Sequence, residues 1–195
     1  MPTTTPEKAG GTREAILERA IDLASAEGLE GLTIGRLASE MEMSKSGLFR
    51  HFGSKEELQL ATVDAAASRY AAQVVYPALE APDGEARLRR LCESYFDHLE
   101  ASVFEGGCFW AASSAEFDDR PGPVRDKIRE ATSTWLALLA REAQAAGSED
   151  PEQLAFELHS LGLGANLRSR LLEDPQAFTR ARAAMDRLLA VGGPS

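Results

Sequence analysis

The sequence has few cysteines and no long hydrophobic run. Only Cys92 and Cys108 are present among 195 residues, which is too few for a disulfide framework, and their spacing fits no common zinc or redox motif. No apolar run approaches the roughly 18 residues of a membrane span, and the first residues lack the apolar segment of a secretory signal. These absences predict a globular chain that folds on an apolar core in the reducing cytoplasm, with no membrane partner.

Positive charge is also scarce. The chain has 21 Lys and Arg against 31 Asp and Glu, a net charge of −10, which argues against non-specific binding to nucleic acid or membranes. The negative charge is distributed unevenly, because residues 1–55 have a net charge of only −1 and residues 56–195 have a net charge of −9. Within residues 43–55, Lys45, Arg50, Lys55 and His51 occur with no acidic residue. One short window is therefore positive on an acidic chain.

Apolar residues recur with a helical period along almost the whole chain, and no stretch alternates as a strand does. The pattern predicts an all-α fold. About nine helices are expected, near residues 12–27, 33–41, 44–52, 55–75, 85–104, 108–118, 123–146, 151–172 and 175–190. Cap signals support several of these boundaries: Ser54 with Glu57 is typical of a capping box, and Asp150 and Asp174 each precede a proline.

The most informative stretch is residues 32–55, where two short helices meet at a tight turn over residues 41–43. Leu48 and Phe52 lie on the predicted inner face of the second helix. Its outer face carries Lys45, Ser46, Gly47, Phe49, Arg50 and His51. This is a helix-turn-helix arrangement, and the outer face has the chemistry to contact base edges in a major groove. Short helices joined by turns also occur in other helical proteins, so the pattern alone leaves a generic helical hairpin open.

The residues themselves are more specific than the pattern. The stretch contains Thr33-Ile34, Leu37-Ala38, Met43-Ser44-Lys45-Ser46, Leu48-Phe49, His51-Phe52 and Ser54-Lys55-Glu56-Glu57-Leu58. In this order they resemble the N-terminal domain of the tetracycline-repressor (TetR) family of transcriptional regulators, over Arg13 to about Val63. One position departs from the family, because Glu42 stands where glycine is usual. A glutamate with positive φ costs about 1–2 kcal/mol.

The resemblance implies a set of DNA contacts. Thr33 and Lys55 would hold phosphates at the two edges of the motif, and Arg36 is a further candidate for a backbone contact. Lys45, Ser46, Gly47, Phe49, Arg50 and His51 would form the reading surface, although the His51 ring has the alternative of bonding a phosphate or the fourth helix. We expect a disordered tail over residues 1–11, a DNA-binding domain over 12–55 that continues into the helix 55–75, and an effector-binding and dimerisation domain over 56–195.

The resemblance also implies a homodimer, because the last two long helices of this family pair with their symmetry mates in a four-helix bundle. The predicted penultimate helix is apolar on two sides, as expected of a helix buried on both. We assign one stripe to the dimer interface: Leu154, Leu158, Leu161, Gly162, Ala165 and Leu172. The other stripe contains Phe156, Leu163, Leu167 and Leu171.

Aromatic residues concentrate around residues 95–117. Aromatics at helical spacing are more often core than ligand site, but the resemblance implies an effector cavity among these helices. The candidate wall residues are Phe96, Leu99, Phe104, Trp110 and Trp135, and the candidate polar groups are Tyr70, Tyr95, His98 and Ser113. These side chains favour a small apolar or aromatic effector. Cys108 is interpreted as a structural cysteine because no basic residue nearby in sequence would stabilise a thiolate.

The sequence therefore predicts a homodimeric repressor that binds an inverted-repeat operator and is released by a small ligand. An activator or ligand-independent regulator on the same fold remains open. A small all-α enzyme using His98 or Glu116 as a base is the third hypothesis, but the chain has no nucleophile elbow, P-loop or metal-ligand spacing. We expect no enzymatic activity, no cofactor and no metal.

Overall fold

The computed structural model describes residues 6–101 and 106–191. These residues form nine helices and contain no strand, which confirms the all-α prediction. The helices are α1 (Pro6–Glu27), α2 (Ile34–Glu40), α3 (Lys45–Phe52), α4 (Lys55–Tyr70), α5 (Glu85–Glu100), α6 (Phe109–Phe117), α7 (Pro123–Ala145), α8 (Pro151–Leu171) and α9 (Ala177–Val191). Helix α4 continues without a break as a π-helical segment, Ala71–Val75, and a short α-helical turn, Tyr76–Ala78.

Helix α1 begins earlier than the sequence pattern indicates. The disordered tail predicted for residues 1–11 is wrong over residues 6–11, which form the first turns of α1, while residues 1–5 lie outside the described residues. Proline at the first helical position has its φ already set for a helix. The glycines at positions 10 and 11 are poor helix formers, and they obscure this start in the sequence.

The chain divides into two compact units. Among the described residues, the first contains residues 6–68 and 106–128, and the second contains residues 69–101 and 129–191. The first unit thus combines α1–α3, most of α4, α6 and the first residues of α7. Residues 106–128, which the family resemblance places in the effector domain, cluster with the helix-turn-helix.

The core of the first unit uses the apolar stripes predicted from the sequence. On α1, α2 and α3 the residues pointing inward are each at most 3% exposed: Ile16, Ala20, Leu23, Ala24, Leu37, Ala38, Leu48 and Phe52. Burying a large aliphatic or aromatic side chain stabilises a fold by about 1.5–3 kcal/mol. This core fixes the orientation of α3, and with it the side chains that α3 presents to solvent.

The second unit is organised around α5, α8 and α9, which pack against one another. The turn between α8 and α9 is held by Asp174, whose carboxylate accepts hydrogen bonds from Arg168 at 3.0 Å and Arg180 at 2.5 Å. At the start of α5, the buried Glu142 carboxylate accepts the Gly84 amide at 3.1 Å. Within the described part of the chain, no helix combines the length and apolar content needed to cross a bilayer.

Candidate DNA-binding and effector sites

A side-chain N-cap fixes the start of each helix of the helix-turn-helix. Thr33 Oγ1 accepts the Arg36 amide at 3.1 Å, and Ser44 Oγ accepts the Gly47 amide at 3.1 Å. Each cap satisfies an amide that the first helical turn leaves without a backbone partner. Glu42 has a φ of 53°, so the positive φ predicted at this turn is confirmed. The helix-turn-helix therefore forms with glutamate at the position where glycine is usual.

Helix α3 presents the predicted reading surface to solvent. Phe49 is 55% exposed, and Lys45, Ser46 and Arg50 are also exposed, whereas His51 is half-buried beside Phe52. Neither Lys45 nor Arg50 forms an ion pair with another described residue. Two cations and an exposed ring on one short helix can contact phosphates, guanine edges and thymine methyl groups.

Arg36 is tied to carboxylates of its own chain. Its guanidinium donates to Glu27 at 2.5 Å and to Glu40 at 2.8 Å, and Arg19 also pairs with Glu40. The Arg36 hydrogen bonds lower the pKa of Glu27, and those of Arg19 and Arg36 lower the pKa of Glu40. A DNA phosphate would have to compete with two carboxylates for Arg36, so these ion pairs weaken its predicted backbone contact.

Lys55 is also paired. Its Nζ donates to Glu30 Oε1 at 2.6 Å, and this hydrogen bond lowers the pKa of the Glu30 carboxyl. Glu116, the candidate base of the enzyme hypothesis, accepts the backbone amides of Leu29 and Glu30 at 2.7 and 3.1 Å. Its carboxylate thus holds the loop between α1 and α2.

An aromatic cluster lies in the second unit. The Tyr70 ring meets His98 at 5.3 Å and Trp135 at 5.5 Å, both edge to face. Tyr95 lies 5.5 Å from Trp135 and stacks on His159 at 5.8 Å. Aromatic pairs in these geometries add about 0.5–1.5 kcal/mol beyond their buried area. Four of these five residues come from α4, α5 and α7 and are effector candidates from the sequence; His159 on α8 is an addition that only the structure supplies.

Three ring nitrogens of the cluster take part in hydrogen bonds, whereas the buried His98 Nε2 forms no hydrogen bond with the described residues. Trp135 Nε1 donates to His159 Nδ1 at 3.3 Å, and His98 Nδ1 lies 3.1 Å from Gln73 Oε1. Burial lowers the pKa of His98 to about 4, with a further contribution from the Arg69 charge, and burial also lowers the pKa of His159. Both imidazoles are therefore neutral at neutral pH. Gln73 belongs to the π-helical segment, a distortion that occurs frequently at functional sites.

The other effector candidates are divided between the units. Phe96 and Leu99 are buried on α5 in the second unit. Trp110 and Ser113 lie on α6 in the first unit, where the Ser113 hydroxyl donates to the Trp110 carbonyl at 3.5 Å. Phe104 lies outside the described residues.

Comparison with known proteins identifies the family. The family model described as "Tetracyclin repressor-like, C-terminal domain" matches residues 84–185, and "Bacterial regulatory proteins, tetR family" matches residues 16–62. The chain belongs to the TetR family. As a member of it, the protein is a DNA-binding transcriptional regulator and not an enzyme, so the hypothesis of His98 or Glu116 as a catalytic base is wrong.

TetR-family relatives match over nearly the whole chain. The transcriptional repressor NemR of Escherichia coli K12 is 27% identical over 192 residues, covering 92% of this chain and 94% of NemR. A TetR-family regulator from Cytophaga hutchinsonii has the same fold, with a TM-score of 0.82 at 22% identity and coverage of 98% and 100%. AibR, solved in complex with isovaleryl coenzyme A and operator DNA, has a TM-score of 0.72 at 19% identity and coverage of 94% and 99%.

The outer face of α8 differs from the dimer stripe predicted from the sequence. Leu158 and Gly162 are buried inside their own chain, so their assignment to a subunit interface is wrong. Ala165 is also buried, although it lines a groove between α8 and α9. A Cβ added to Gly162 would overlap the Tyr95 ring, 2.7 Å from Cζ. Leu154 and Leu161 are half-buried and Leu172 is exposed. The large apolar residues exposed on α8 are Phe156, Leu163, Leu167 and Leu171.

Proposed function

We propose that this protein is a homodimeric repressor that binds an inverted-repeat operator and leaves it when a small ligand binds. The observation that carries the proposal is the exposed face of α3, which offers Phe49 together with Lys45 and Arg50, neither of which forms an ion pair within the described part of the chain. Repression rather than activation is supported by relatives that are named as repressors. They include NemR and the Corynebacterium efficiens AcnR, which is 38% identical over 74 residues. The protein acts in the cytoplasm, where the chromosome is accessible.

On DNA, α3 lies in the major groove and α2 crosses the backbone. The Thr33 oxygen already accepts the Arg36 amide, which leaves its hydroxyl hydrogen for a phosphate. Lys45 and Arg50 contact bases or phosphates, and Ser46, Gly47 and His51 complete the reading surface. In a dimer, the two copies of α3 enter successive major grooves about 34 Å apart.

The second copy packs on the exposed apolar face of α8 together with α9. Phe156, Leu163, Leu167 and Leu171 share one side of α8, and a Cβ at Gly164 on that side meets nothing within 4 Å. A groove of about 550 Å³ lies beside this face between α8 and α9, and Phe156, Leu161, Gly164 and Ala165 of α8 line it. Exposed apolar surface of this extent is typical of an interface. Leu167→Glu should convert the dimer to a monomer by sedimentation velocity, whereas Glu80→Gln, at an exposed residue outside α8 and α9, should not.

The effector is a neutral apolar or aromatic molecule that binds in the second unit beside Tyr70, Tyr95 and Trp135. Support comes from the neutral imidazoles of the cluster, because a charged ligand would gain no ionic partner from them. AibR, with isovaleryl coenzyme A and operator DNA in one structure, illustrates that this fold holds both a ligand and DNA. If the ligand weakens DNA binding, DNA must weaken ligand binding by the same factor.

The first experiment is capture of sheared genomic DNA by the purified protein at moderate salt, followed by sequencing. Enrichment of inverted repeats is expected, and duplexes of the enriched sequence then serve for fluorescence anisotropy. Lys45→Ala and Arg50→Ala should each reduce discrimination between this duplex and a random one if they contact bases. Arg90→Ala, which removes an exposed arginine of the second unit, is the matched control.

Three outcomes would contradict parts of the proposal. No enrichment after refolding without ligand would refute sequence-specific DNA binding. Unchanged affinity and discrimination in Lys45→Ala and Arg50→Ala would refute the assignment of the α3 face. In cells, a reporter gene behind the enriched site should be silenced by the protein; activation instead would establish the activator hypothesis.

A further inference from the structure

The loop between α1 and α2 is held from two other helices of the first unit. Glu116 of α6 accepts the Leu29 amide at 2.7 Å and the Glu30 amide at 3.1 Å. Gln59 of α4 donates to the Leu29 carbonyl at 2.7 Å. The backbone of residues 29 and 30 is thus hydrogen-bonded both through its amides and through the Leu29 carbonyl.

Two glycines allow a close approach between α6 and the end of α1. Gly28 has a φ of 86°, and a Cβ there would lie 2.8 Å from Glu116 Oε1, so a larger residue would displace the carboxylate. The Gly106 amide, just before α6, donates to Ser25 Oγ at 3.1 Å, and a Cβ on Gly106 would overlap the α1 backbone. Helix α6 is therefore attached to the end of α1 at two points.

The side chain of the same loop residue binds the lysine proposed to hold a phosphate. Glu30 Oε1 accepts Lys55 Nζ at 2.6 Å, and Glu30 Oε2 lies 3.5 Å from Gln59 Nε2 and 4.0 Å from Arg120. The Lys55 and Glu30 side chains are 39% and 49% exposed. Exposed ion pairs are weak, so a phosphate arriving at Lys55 can displace Glu30.

We infer that Glu30 is an intramolecular competitor for the phosphate-binding Lys55, and that Glu116 is a positioning residue that holds Glu30 in place for this competition. The inference rests on the proposed role of Lys55 in DNA binding. Because Glu116 belongs to α6, a displacement of α6 relative to α1 would change the availability of Lys55. Affinity for the DNA backbone is thereby adjusted without any change in the reading surface of α3.

The first test measures DNA affinity by fluorescence anisotropy with a 40-base-pair duplex of random sequence across a range of salt concentrations. Glu30→Gln should bind about two- to fivefold more tightly near 0.1 M salt, the range expected from an exposed ion pair. The control is Glu42→Gln, which removes the same charge from an exposed residue of the motif that has no ion pair among the described residues. Its effect should be smaller.

The decisive comparison uses the Lys55→Ala background. Glu30→Gln should have no effect on affinity there, because the residue for which it competes is gone. Equal tightening with and without Lys55 would overturn the inference, since the effect would then be a general one of negative charge near DNA.

The role of Glu116 is tested by Glu116→Gln, which keeps one acceptor for the two amides and removes the charge. It should increase affinity for the random duplex in the native background and have no further effect in Glu30→Gln. A second readout needs no DNA: the rate at which an N-hydroxysuccinimide ester modifies Lys55, followed by peptide mass spectrometry, should rise in both variants. An unchanged rate in Glu30→Gln would refute the competition, and an unchanged rate in Glu116→Gln would refute the positioning role.

Failure of the proposed function would look different. If the wild type showed no salt-dependent binding to any duplex while Lys55 modification responded as expected, the DNA role of Lys55 would be wrong and the inference would fall with it. If wild-type binding were strong but insensitive to Glu30→Gln, only the inference would be refuted.

Discussion

Gly162→Ala is predicted to destabilise the protein, although replacing glycine inside a helix is ordinarily favourable. Alanine gains about 1 kcal/mol over glycine in a helix interior. The added Cβ would overlap the Tyr95 ring, 2.7 Å from Cζ and 2.9 Å from Oη, and overpacking of a core costs about 1–3 kcal/mol. Because the overlap involves several atoms of a buried ring, we expect the upper end of that range and a net loss of about 2 kcal/mol.

Gly164→Ala is the matched control on the same helix. A Cβ at Gly164 meets nothing within 4 Å, so this variant should be stabilised by up to about 1 kcal/mol. Urea unfolding followed by circular dichroism measures both, at one fixed protein concentration because the proposed dimerisation would add to the apparent stability. Equal stability of the two variants would refute the close contact. In the Gly162→Ala background, Tyr95→Leu should cost at least about 1 kcal/mol less than in the wild type.

Three further predictions concern a buried imidazole, a helix cap and a buried carboxylate. Burial lowers the pKa of His98 from 6.5 to about 4, so its contribution to the unfolding free energy is present above pH 6.5 and lost as pH falls toward 4. In urea titrations, His98→Gln should reduce the decline of the unfolding free energy between pH 6.5 and about 4. An unchanged dependence of that free energy on pH would contradict the burial. Ser44→Ala removes the cap on the Gly47 amide and should cost about 1 kcal/mol, with weaker binding to the captured operator, whereas Ser46→Ala should leave stability unchanged. Glu142→Ala leaves the buried Gly84 amide without its acceptor and should cost at least about 1–3 kcal/mol in urea unfolding; a smaller loss would mean that water reaches the amide.

The features that sequence predicts well are those specified over short distances along the chain. The Thr33 and Ser44 caps each join residues three apart. The positive φ of Glu42 is expected from the resemblance to the TetR family, in which glycine is usual at this turn. The inward positions of Leu48 and Phe52 follow from helical periodicity. Because these signals are local, the sequence pattern predicts the two helices, their turn and the exposed face of α3, and the resemblance to the TetR family identifies them as a DNA-binding helix-turn-helix.

The features that sequence does not predict depend on contacts between distant residues. Glu116 binds the amide of Leu29, 87 positions away, and Glu30 binds Lys55, 25 positions away. Periodicity shows that α8 has two apolar stripes but not which one its own chain buries. The contact of Gly162 with Tyr95 and the burial of Leu158 identify the inner stripe, so the interface predicted from periodicity and family resemblance includes residues that face their own core.

The position of Trp135 gives the protein a built-in optical probe. The chain has two tryptophans, Trp110 on α6 and Trp135 on α7, so Trp110→Phe leaves a single indole emitter. That indole is nearly buried, contacts two tyrosine rings and donates its N–H to His159. Indole emission responds to solvent exposure and to the polarity of the groups around the ring. A molecule entering the cluster would therefore change the emission wavelength or intensity, and effector candidates could be titrated without label or DNA.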